Sequence, residues 1–296
     1  MTENLVNRIG IVGIGVMGSA ISTRLIECGQ QLTIFNRTPE KIKPLVSKGA
    51  RAAISPRDVA ENSDIIILSL NNAAIVEEVV FGANGIAEAA TSNKLLLDMS
   101  SIDPESTKAM AERLRAEYQM GWLDCPLSGG APGALGGKLA VMAGGNEQDF
   151  EKARSVMDHL CANLTLMGPS GAGQTTKLVN QVLCAVGFQA LAEATQLALN
   201  GGVDVERIPA ALAGGRADSR LMQEFMAKMG RHDYSPTGRL DNMLKDLEAV
   251  QAFASKTGVS MPVTGLTTEL HRMFVAAGKG GDDNAALMKF FNGPAE

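Results

Sequence analysis

Three polar side chains recur at helical spacing in the middle of the chain. Lys177, Asn180 and Gln181 stand at positions i, i+3 and i+4, which places them together on one helix face. A lysine ammonium can donate a proton, and the two amides can donate and accept hydrogen bonds. Taken alone, these residues favour the ordinary alternative, a lysine whose stem covers apolar surface while its ammonium stays in water.

A long apolar helix must carry these side chains. Between Thr175 and Asn200 the chain has no proline and one glycine, Gly187, and two glycines follow at 201–202. The pattern predicts a continuous helix of about 39 Å that ends at these glycines. Apolar side chains cover so much of its circumference that we expect it to be buried between domains or between subunits.

A glycine-rich turn near the N-terminus predicts nucleotide binding. The segment G-I-G-V-M-G lies between an apolar run, which predicts a strand, and a stretch of helical character. In this pattern the first glycine allows a tight turn, the second lets the backbone approach a pyrophosphate, and the third lets helix and strand pack closely. A purely structural glycine turn is the alternative. The candidate cofactor contacts are Gly13, Gly15, Val16, Met17 and Gly18.

The residues at the end of the second predicted strand indicate which cofactor, NAD(H) or NADP(H), is bound. Asn36, Arg37 and Thr38 stand there. An NAD site normally has a carboxylate at this point for the ribose 2′-hydroxyl, whereas an arginine accommodates a 2′-phosphate. We therefore expect these three residues to bind the cofactor and NADP(H) to be preferred, with NAD(H) possible. The alternative is a solvated loop arginine.

Strands and helices alternate through the first half of the chain. Apolar runs at 64–70 and 94–99 predict buried parallel strands, and helices are predicted at 73–81 and 104–118. This alternation predicts a Rossmann-type, doubly wound α/β sheet, which binds ligands outside the carboxyl ends of its strands. Candidate cofactor contacts after these two strands are Leu70, Asn71 and Ser101.

A second glycine-rich segment, 125–137, follows a predicted strand that ends at Asp124. Consecutive small residues expose backbone N–H groups that can bind a carboxylate. Ser128, Gly129 and Gly130 would supply a hydroxyl and amides to such a site. A flexible surface loop explains this segment equally well by itself.

Beyond residue 168 the strand pattern disappears. Helices are predicted at 204–213, 220–229, 241–257, 261–277 and 283–291. We therefore expect a Rossmann domain over 1–168 and an all-helical substrate and dimerisation domain over 169–296, joined by the long helix. The apolar leading helix predicts a homodimer or tetramer. Lys245 lies inside one of these helices. Its ordinary interpretation is a solvated ion pair with the neighbouring Asp246.

Composition excludes several classes of function. A net charge of −5 over 296 residues gives no general attraction to nucleic acid or to an anionic membrane. The N-terminus lacks a secretory-signal pattern, and we expect no apolar run to reach membrane-spanning length. The four cysteines lack C-x-x-C spacing, which argues against a zinc site and a disulfide framework. We expect a cytoplasmic protein without a metal.

Together, these motifs resemble the 3-hydroxyacid (beta-hydroxyacid) dehydrogenases, which include 3-hydroxyisobutyrate dehydrogenase, tartronate semialdehyde reductase, and glyoxylate and succinic semialdehyde reductases. The resemblance covers essentially the whole chain and rests on four separate segments, 13–18, 124–139, 168–180 and 245–247. It implies an NAD(P)-dependent enzyme that interconverts a small 3-hydroxy acid, or a 2-hydroxy acid such as glycolate, and its semialdehyde or keto form.

The resemblance also implies roles for individual residues. Lys177 falls on the family's catalytic lysine, and the segment 128–130 falls on the residues that hold the substrate carboxylate. Asn180 and Gln181 would orient the substrate, and Lys245 falls on a lysine close to cofactor and substrate. Hydride reduction of a carbonyl puts negative charge on oxygen, so Lys177 is expected to be the general acid in reduction and the general base in oxidation.

Three departures from the family pattern leave the substrate open. Gln181 replaces the second asparagine of the hydroxyisobutyrate enzymes, Asn71 stands where many relatives have a proline, and the segment 236–239 lacks the usual aromatic residue. Two other functions are alternatives. An imine reductase of the same architecture commonly lacks the lysine, so Lys177 argues against it. A non-catalytic nucleotide-binding regulatory protein would not need the intact site residues.

Overall fold

The computed structural model describes residues 8–291. The chain divides into two compact units between Lys177 and Leu178, inside a helix, whereas the sequence predicted the boundary near residue 168. The first unit is built on a sheet and the second is helical.

A nine-stranded sheet forms the first unit, in the order β3-β2-β1-β4-β5-β6-β8-β7, with β9 paired to β8. The first six strands in this order, β3, β2, β1, β4, β5 and β6, are parallel to one another. Strand β8 is antiparallel to β6 and β7 and parallel to β9. This order is that of a Rossmann sheet. The strands are β1 (Ile9–Val12), β2 (Leu32–Phe35), β3 (Arg51–Ala52), β4 (Ile65–Leu68), β5 (Leu95–Asp98), β6 (Gly121–Asp124), β7 (Leu127–Ser128), β8 (Leu139–Gly144) and β9 (Cys161–Gly168).

Both faces of this sheet are covered. Along β4, Ile65 and Ile67 pack in one buried apolar cluster, while Ile66 and Leu68 pack in another. Burial on both faces explains why these strands are continuous apolar runs in the sequence. The helices of this unit are α1 (Val16–Glu27), α2 (Lys43–Val46), α3 (Pro56–Glu61), α4 (Ala73–Phe81), α5 (Pro104–Tyr118), α6 (Gly130–Leu135) and α7 (Glu147–Met157), with 3₁₀ turns at Pro39–Ile42 and Ile86–Ala89.

Local capping sets the starts of α4 and α5, which have the predicted bounds. Asn72 Oδ1 accepts the N–H of Ile75, and Asp103 Oδ1 accepts the N–H of Ser106; both are N-cap bonds. By contrast, the glycine-rich segment 125–137 is not a plain loop, since it contains β7 and α6.

The long helix α8 (Ala172–Asn200) begins in the first unit and continues into the second. The single chain does not bury this helix completely. The side chains of Val179, Leu183 and Leu197 are 55%, 70% and 76% exposed. The expectation that no apolar run reaches membrane-spanning length is wrong by length and composition. Within the described chain, α8 alone is long and apolar enough to cross a membrane, by length and composition only, because residues 178–192 carry no charge.

The second unit is helical and packs around an apolar cluster that includes Phe188, Leu240 and Leu247. Its helices after α8 are α9 (Ile208–Leu212), α10 (Arg220–Gly230), α11 (Leu240–Thr257) and α12 (Pro262–Phe274), with 3₁₀ turns at Val205–Arg207 and Asn284–Phe290 and a π turn at Val275–Lys279. Three predicted α-helices differ. The one at 204–213 is split between Arg207 and Ile208, the one at 261–277 ends at Phe274 and is followed by the π turn, and the one at 283–291 is 3₁₀.

Candidate active site

The glycines of the first turn occupy the positions that the dinucleotide pattern requires. Gly13 has a φ of +97°, and a Cβ there would collide with the carbonyl oxygen of Ser69. A Cβ on Gly18 would collide with the carbonyl oxygen of Gly13. A Cβ on Gly15 would have no heavy atom within 4 Å. The first and third glycines are thus required by packing, while the second faces open space.

The N-terminus of α1 is available to an anion. Gly15 is the N-cap residue, its position supplies no side-chain cap, and the first turn has no acidic residue. Val16 is 79% exposed, while Met17 packs against the core beneath the turn. Backbone N–H groups without intrahelical acceptors favour a phosphate at such a helix start.

Asn36 links this turn to the end of β2. Its Oδ1 accepts the N–H of Ile14 at 2.9 Å, and its Nδ2 donates to the carbonyl of Thr38 at 3.0 Å. The side chain of Asn36 therefore shapes the turn. Arg37 and Thr38 are exposed at the same strand end, so Arg37 provides a cation there.

The ends of β4 and β5 lie at the same edge of the sheet, because these strands are parallel to β1 and β2. The N–H of Leu70 donates to Ser100 Oγ at 3.0 Å. Asn71 is exposed and Ser101 is half-buried. The contact between the two strand ends is thus made by Ser100, the neighbour of the predicted Ser101.

Lys177 lies beside the predicted carboxylate-binding segment. Its Nζ donates to the carbonyl oxygen of Leu127 at 2.9 Å, and the side chain is half-buried. Ser128 follows in β7, and Gly129 and Gly130 have φ values of +120° and +59°, in the region that favours glycine. The fold of the first unit therefore brings the lysine to the Ser-Gly-Gly motif across a large separation in sequence.

Two buried carboxyl groups stand in register at the ends of β5 and β6, Asp98 and Asp124. Burial raises the pKa of Asp98 to about 7, and Asp124 adds to that rise. Burial also raises the pKa of Asp124, while backbone N–H groups of Gly171 and Gln174 oppose the rise. The candidate residues derived from the sequence did not include either carboxyl group.

In the second unit, Asn180, Gln181 and Asp246 form a chain of hydrogen bonds. Asn180 Nδ2 donates to Gln181 Oε1 at 2.8 Å, and Gln181 Nε2 donates to Asp246 Oδ2 at 2.5 Å. Gln181 is 7% exposed, so both ends of its amide are engaged inside the protein. Lys245 is exposed, with its Nζ 3.4 Å from Asp246 Oδ1.

No group of three or more His, Cys, Asp or Glu side chains in residues 8–291 is arranged to hold a metal ion. Burial raises the pKa of the Cys161 thiol to about 11 and holds the pKa of the fully buried Cys125 thiol well above its usual value, so these two thiols are poor nucleophiles.

Two family models together match almost the whole chain. Residues 8–168 match the NAD binding domain of 6-phosphogluconate dehydrogenase, and residues 171–291 match the NAD-binding domain of NADP-dependent 3-hydroxyisobutyrate dehydrogenase.

Individual relatives are similar over their full lengths. The chain is 35% identical to 2-hydroxy-3-oxopropionate reductase of Escherichia coli strain K12, over 95% of this chain and 96% of that protein. It is 30% identical to L-threonate dehydrogenase of Cupriavidus necator, over 96% of each. The solved structure of Mycobacterium tuberculosis 3-hydroxyisobutyrate dehydrogenase with L-serine has the same fold, with a TM-score of 0.88 at 24% identity, covering 97% of this chain and 99% of the other.

Proposed function

This chain belongs to the 3-hydroxyacid dehydrogenase family and is an NAD(P)-dependent oxidoreductase acting on CH–OH donors; on that premise we propose that Lys177 is its general acid and base. A bound NAD(P) cofactor would supply the hydride for the carbonyl carbon in reduction and would accept it in oxidation. In reduction, Lys177 Nζ gives a proton to the carbonyl oxygen, and in oxidation it takes the hydroxyl proton. The position of Nζ, 2.9 Å from the carbonyl of Leu127 and next to the Ser-Gly-Gly motif, supports this role.

We propose that the substrate is a small hydroxy acid whose carboxylate binds at residues 128–130. Gly129 and Gly130 have positive φ angles, a conformation that favours glycine, and their backbone N–H groups, which no side chain of their own covers, can bind an anion. Ser128 adds a hydroxyl without adding charge. Asn180 is proposed to orient the substrate, as its family motif suggests, and Gln181 to hold the Asn180 amide through the bond between them. Lys245, exposed on α11, is proposed to contact the cofactor.

The cofactor is proposed to be NADP(H) rather than NAD(H). Arg37 is an exposed cation at the end of β2, and no carboxylate stands among residues 36–38. An arginine at this position pairs with a ribose 2′-phosphate.

The proposed chemistry is tested by initial rates with NADPH and with NADH. The substrates are glyoxylate, succinic semialdehyde, tartronate semialdehyde, methylmalonate semialdehyde and a cyclic imine. We expect turnover of a carboxylate-bearing aldehyde with NADPH preferred. Turnover of the imine alone would contradict the role of residues 128–130 and support an imine reductase instead.

The role of Lys177 is tested by Lys177→Ala, with Lys48→Ala as the control because Lys48 is exposed in a surface turn. Loss of the proton donor should lower kcat by about 10²- to 10⁴-fold and leave NADPH binding unchanged. Near-normal turnover of Lys177→Ala would contradict the assignment.

A second copy of this chain is proposed to cover the exposed face of α8. Val179, Leu183 and Leu197 on α8 and Leu266 and Met273 on α12 are all more than half exposed. Apolar patches of this kind in a single chain are typical of subunit interfaces. A homodimer or tetramer in the cytoplasm, without nucleic acid or membrane partners, is the proposed assembly.

A further inference from the structure

Asp124 binds the start of the helix that carries Lys177. It is fully buried at the end of β6, and its two oxygens accept the N–H groups of Gly171 at 2.8 Å and Gln174 at 2.9 Å. These donors belong to the turn before α8 and to its first turn. A carboxylate at a helix N-terminus makes charge-assisted hydrogen bonds and a favourable interaction with the helix dipole.

Two glycines, Gly144 and Gly173, pack closely against this carboxylate. A Cβ on Gly144 would lie 2.5 Å from Asp124 Oδ1, and a Cβ on Gly173 would lie 2.7 Å from Oδ2. Both glycines therefore let the backbone close over the carboxylate. The first turn of α8 is seated at one defined position on the end of β6.

The side chain of Gln174 adds a second tether. Gln174 is 1% exposed; its Nε2 donates to the carbonyl of Ser100 at 2.8 Å, and its Oε1 accepts the N–H of Ile102 at 3.4 Å. Ser100 Oγ in turn accepts the N–H of Leu70. The first turn of α8 is thus joined to the ends of β4 and β5, where cofactor contacts are proposed.

We propose that Asp124 and Gln174 are positioning residues that set where Lys177 delivers its proton. Lys177 lies one turn beyond Gln174 on the same helix, and its Nζ is bound by the carbonyl of Leu127, in the strand-end segment that begins at Asp124. That segment therefore holds the helix start through a carboxylate and the lysine ammonium through a carbonyl. This inference rests on the proposed role of Lys177.

The proposal is tested by a double-mutant cycle with Asp124→Asn, Gln174→Met and Lys177→Ala. Asparagine keeps the shape of Asp124 but turns one acceptor into a donor that faces a backbone N–H. Methionine keeps the approximate volume of Gln174 without its polar atoms. Each change should lower kcat by about 10- to 100-fold, as expected for a misplaced catalytic group, while the Kd for NADPH stays within about twofold of wild type.

Non-additivity separates positioning from general damage. In the Lys177→Ala background, neither change should lower the residual single-turnover rate further, because the group they position is gone. Losses that multiply in that background would overturn the proposal. Failure of the proposed function is a different result, namely near-normal turnover of Lys177→Ala alone.

Asp149→Asn is the matched control, since Asp149 is a buried carboxyl group of the same unit that lies against Gly121 at the start of β6, and its side-chain oxygens accept bonds from Arg115 and Asn146 and not from α8. It should keep the wild-type kcat. An equal loss in Asp149→Asn would show that any amide in place of a buried carboxyl group disturbs the enzyme and would overturn the proposal. If Asp124→Asn shows no cooperative thermal transition, Gln174→Met, which leaves the Asp124 bonds intact, decides the question by the same cycle.

Discussion

Among the carboxyl groups of the described residues, Asp98 is the one whose ionisation burial opposes most clearly. Its side chain is fully buried, and its Oδ2 has no hydrogen-bond partner among the described residues. The pKa of about 7 lies above the value of an unfolded aspartate. The folded state therefore holds a proton that the unfolded state has already released between about pH 4 and pH 7, and the contribution of Asp98 to stability falls as the pH rises through that range.

Replacing Asp98 with asparagine should remove this dependence. The free energy of unfolding of wild type, relative to Asp98→Asn, should fall by up to about 1.4 kcal/mol per pH unit between pH 5 and pH 7. Urea unfolding of both proteins at pH 5, 6 and 7 measures the difference. Parallel curves for the two proteins would show that Asp98 does not titrate in this range.

Arg37 carries the prediction on cofactor choice. Arg37→Ala removes the cation at the end of β2 without touching the hydrogen bonds of Asn36. A charge-assisted contact with a phosphate contributes about 1.5–3 kcal/mol, so KM for NADPH should rise by about 10- to 100-fold while KM for NADH stays the same. Parallel changes in the two KM values would assign Arg37 to the solvated surface instead.

At the scale of elements, the glycines of the turn from β1 to α1 have two different roles, one in packing and one in ligand binding. A methyl group on Gly18 would meet the carbonyl of Gly13, whereas one on Gly15 would point into open space. Gly15 also has a φ of −86°, which alanine adopts without strain. The same substitution at these two glycines should therefore act on different properties.

Gly15→Ala should unfold at nearly the wild-type temperature, yet bind NADPH at least about tenfold more weakly, because the methyl group occupies the approach of the pyrophosphate. Gly18→Ala should lose about 1–3 kcal/mol of stability, as overpacked positions do. Thermal unfolding and NADPH fluorescence titration measure both effects. Unchanged NADPH affinity in Gly15→Ala would place the cofactor elsewhere.

At the scale of the whole molecule, the exposed apolar side chains of α8 determine which kind of partner can cover this helix. Its exposed side chains and its hydropathy fit either a subunit interface or a lipid environment by composition. Its first turn, however, is fixed by Asp124 at the end of β6, and Glu193 stands exposed among the apolar residues near its end. These features favour a second copy of the chain.

Leu183→Glu should therefore shift the protein from an oligomer toward a monomer, because the charge would be buried at the interface. Size-exclusion chromatography with light scattering measures the mass. Ile54→Glu is the control, since Ile54 is 90% exposed in the first unit and should leave the mass unchanged. A monomeric wild type, or one that is recovered only with detergent, would contradict the proposed assembly.

Features determined by short stretches of sequence could be predicted from it. The starts of α4 and α5 follow from the N-cap residues Asn72 and Asp103, which directly precede these helices. The glycine turn at 13–18 is local only in part, since a Cβ on Gly18 would meet the carbonyl of Gly13, whereas one on Gly13 would meet the carbonyl of Ser69, just beyond β4. The Rossmann class followed from the alternation of strands and helices, and the family from four motifs, both now confirmed.

The tertiary structure alone decided what meets across long separations in sequence. The contacts of Asp124 with Gly171, of Gln174 with Ser100 and of Lys177 with Leu127 depend on the order of strands in the sheet, which no local pattern encodes. Likewise, Gln181 has its amide engaged by Asp246, because α11 packs beside α8 in the second unit. Sequence spacing shows which side chains share a helix face. The groups that bind these side chains or bury them, however, lie on elements that are distant in sequence.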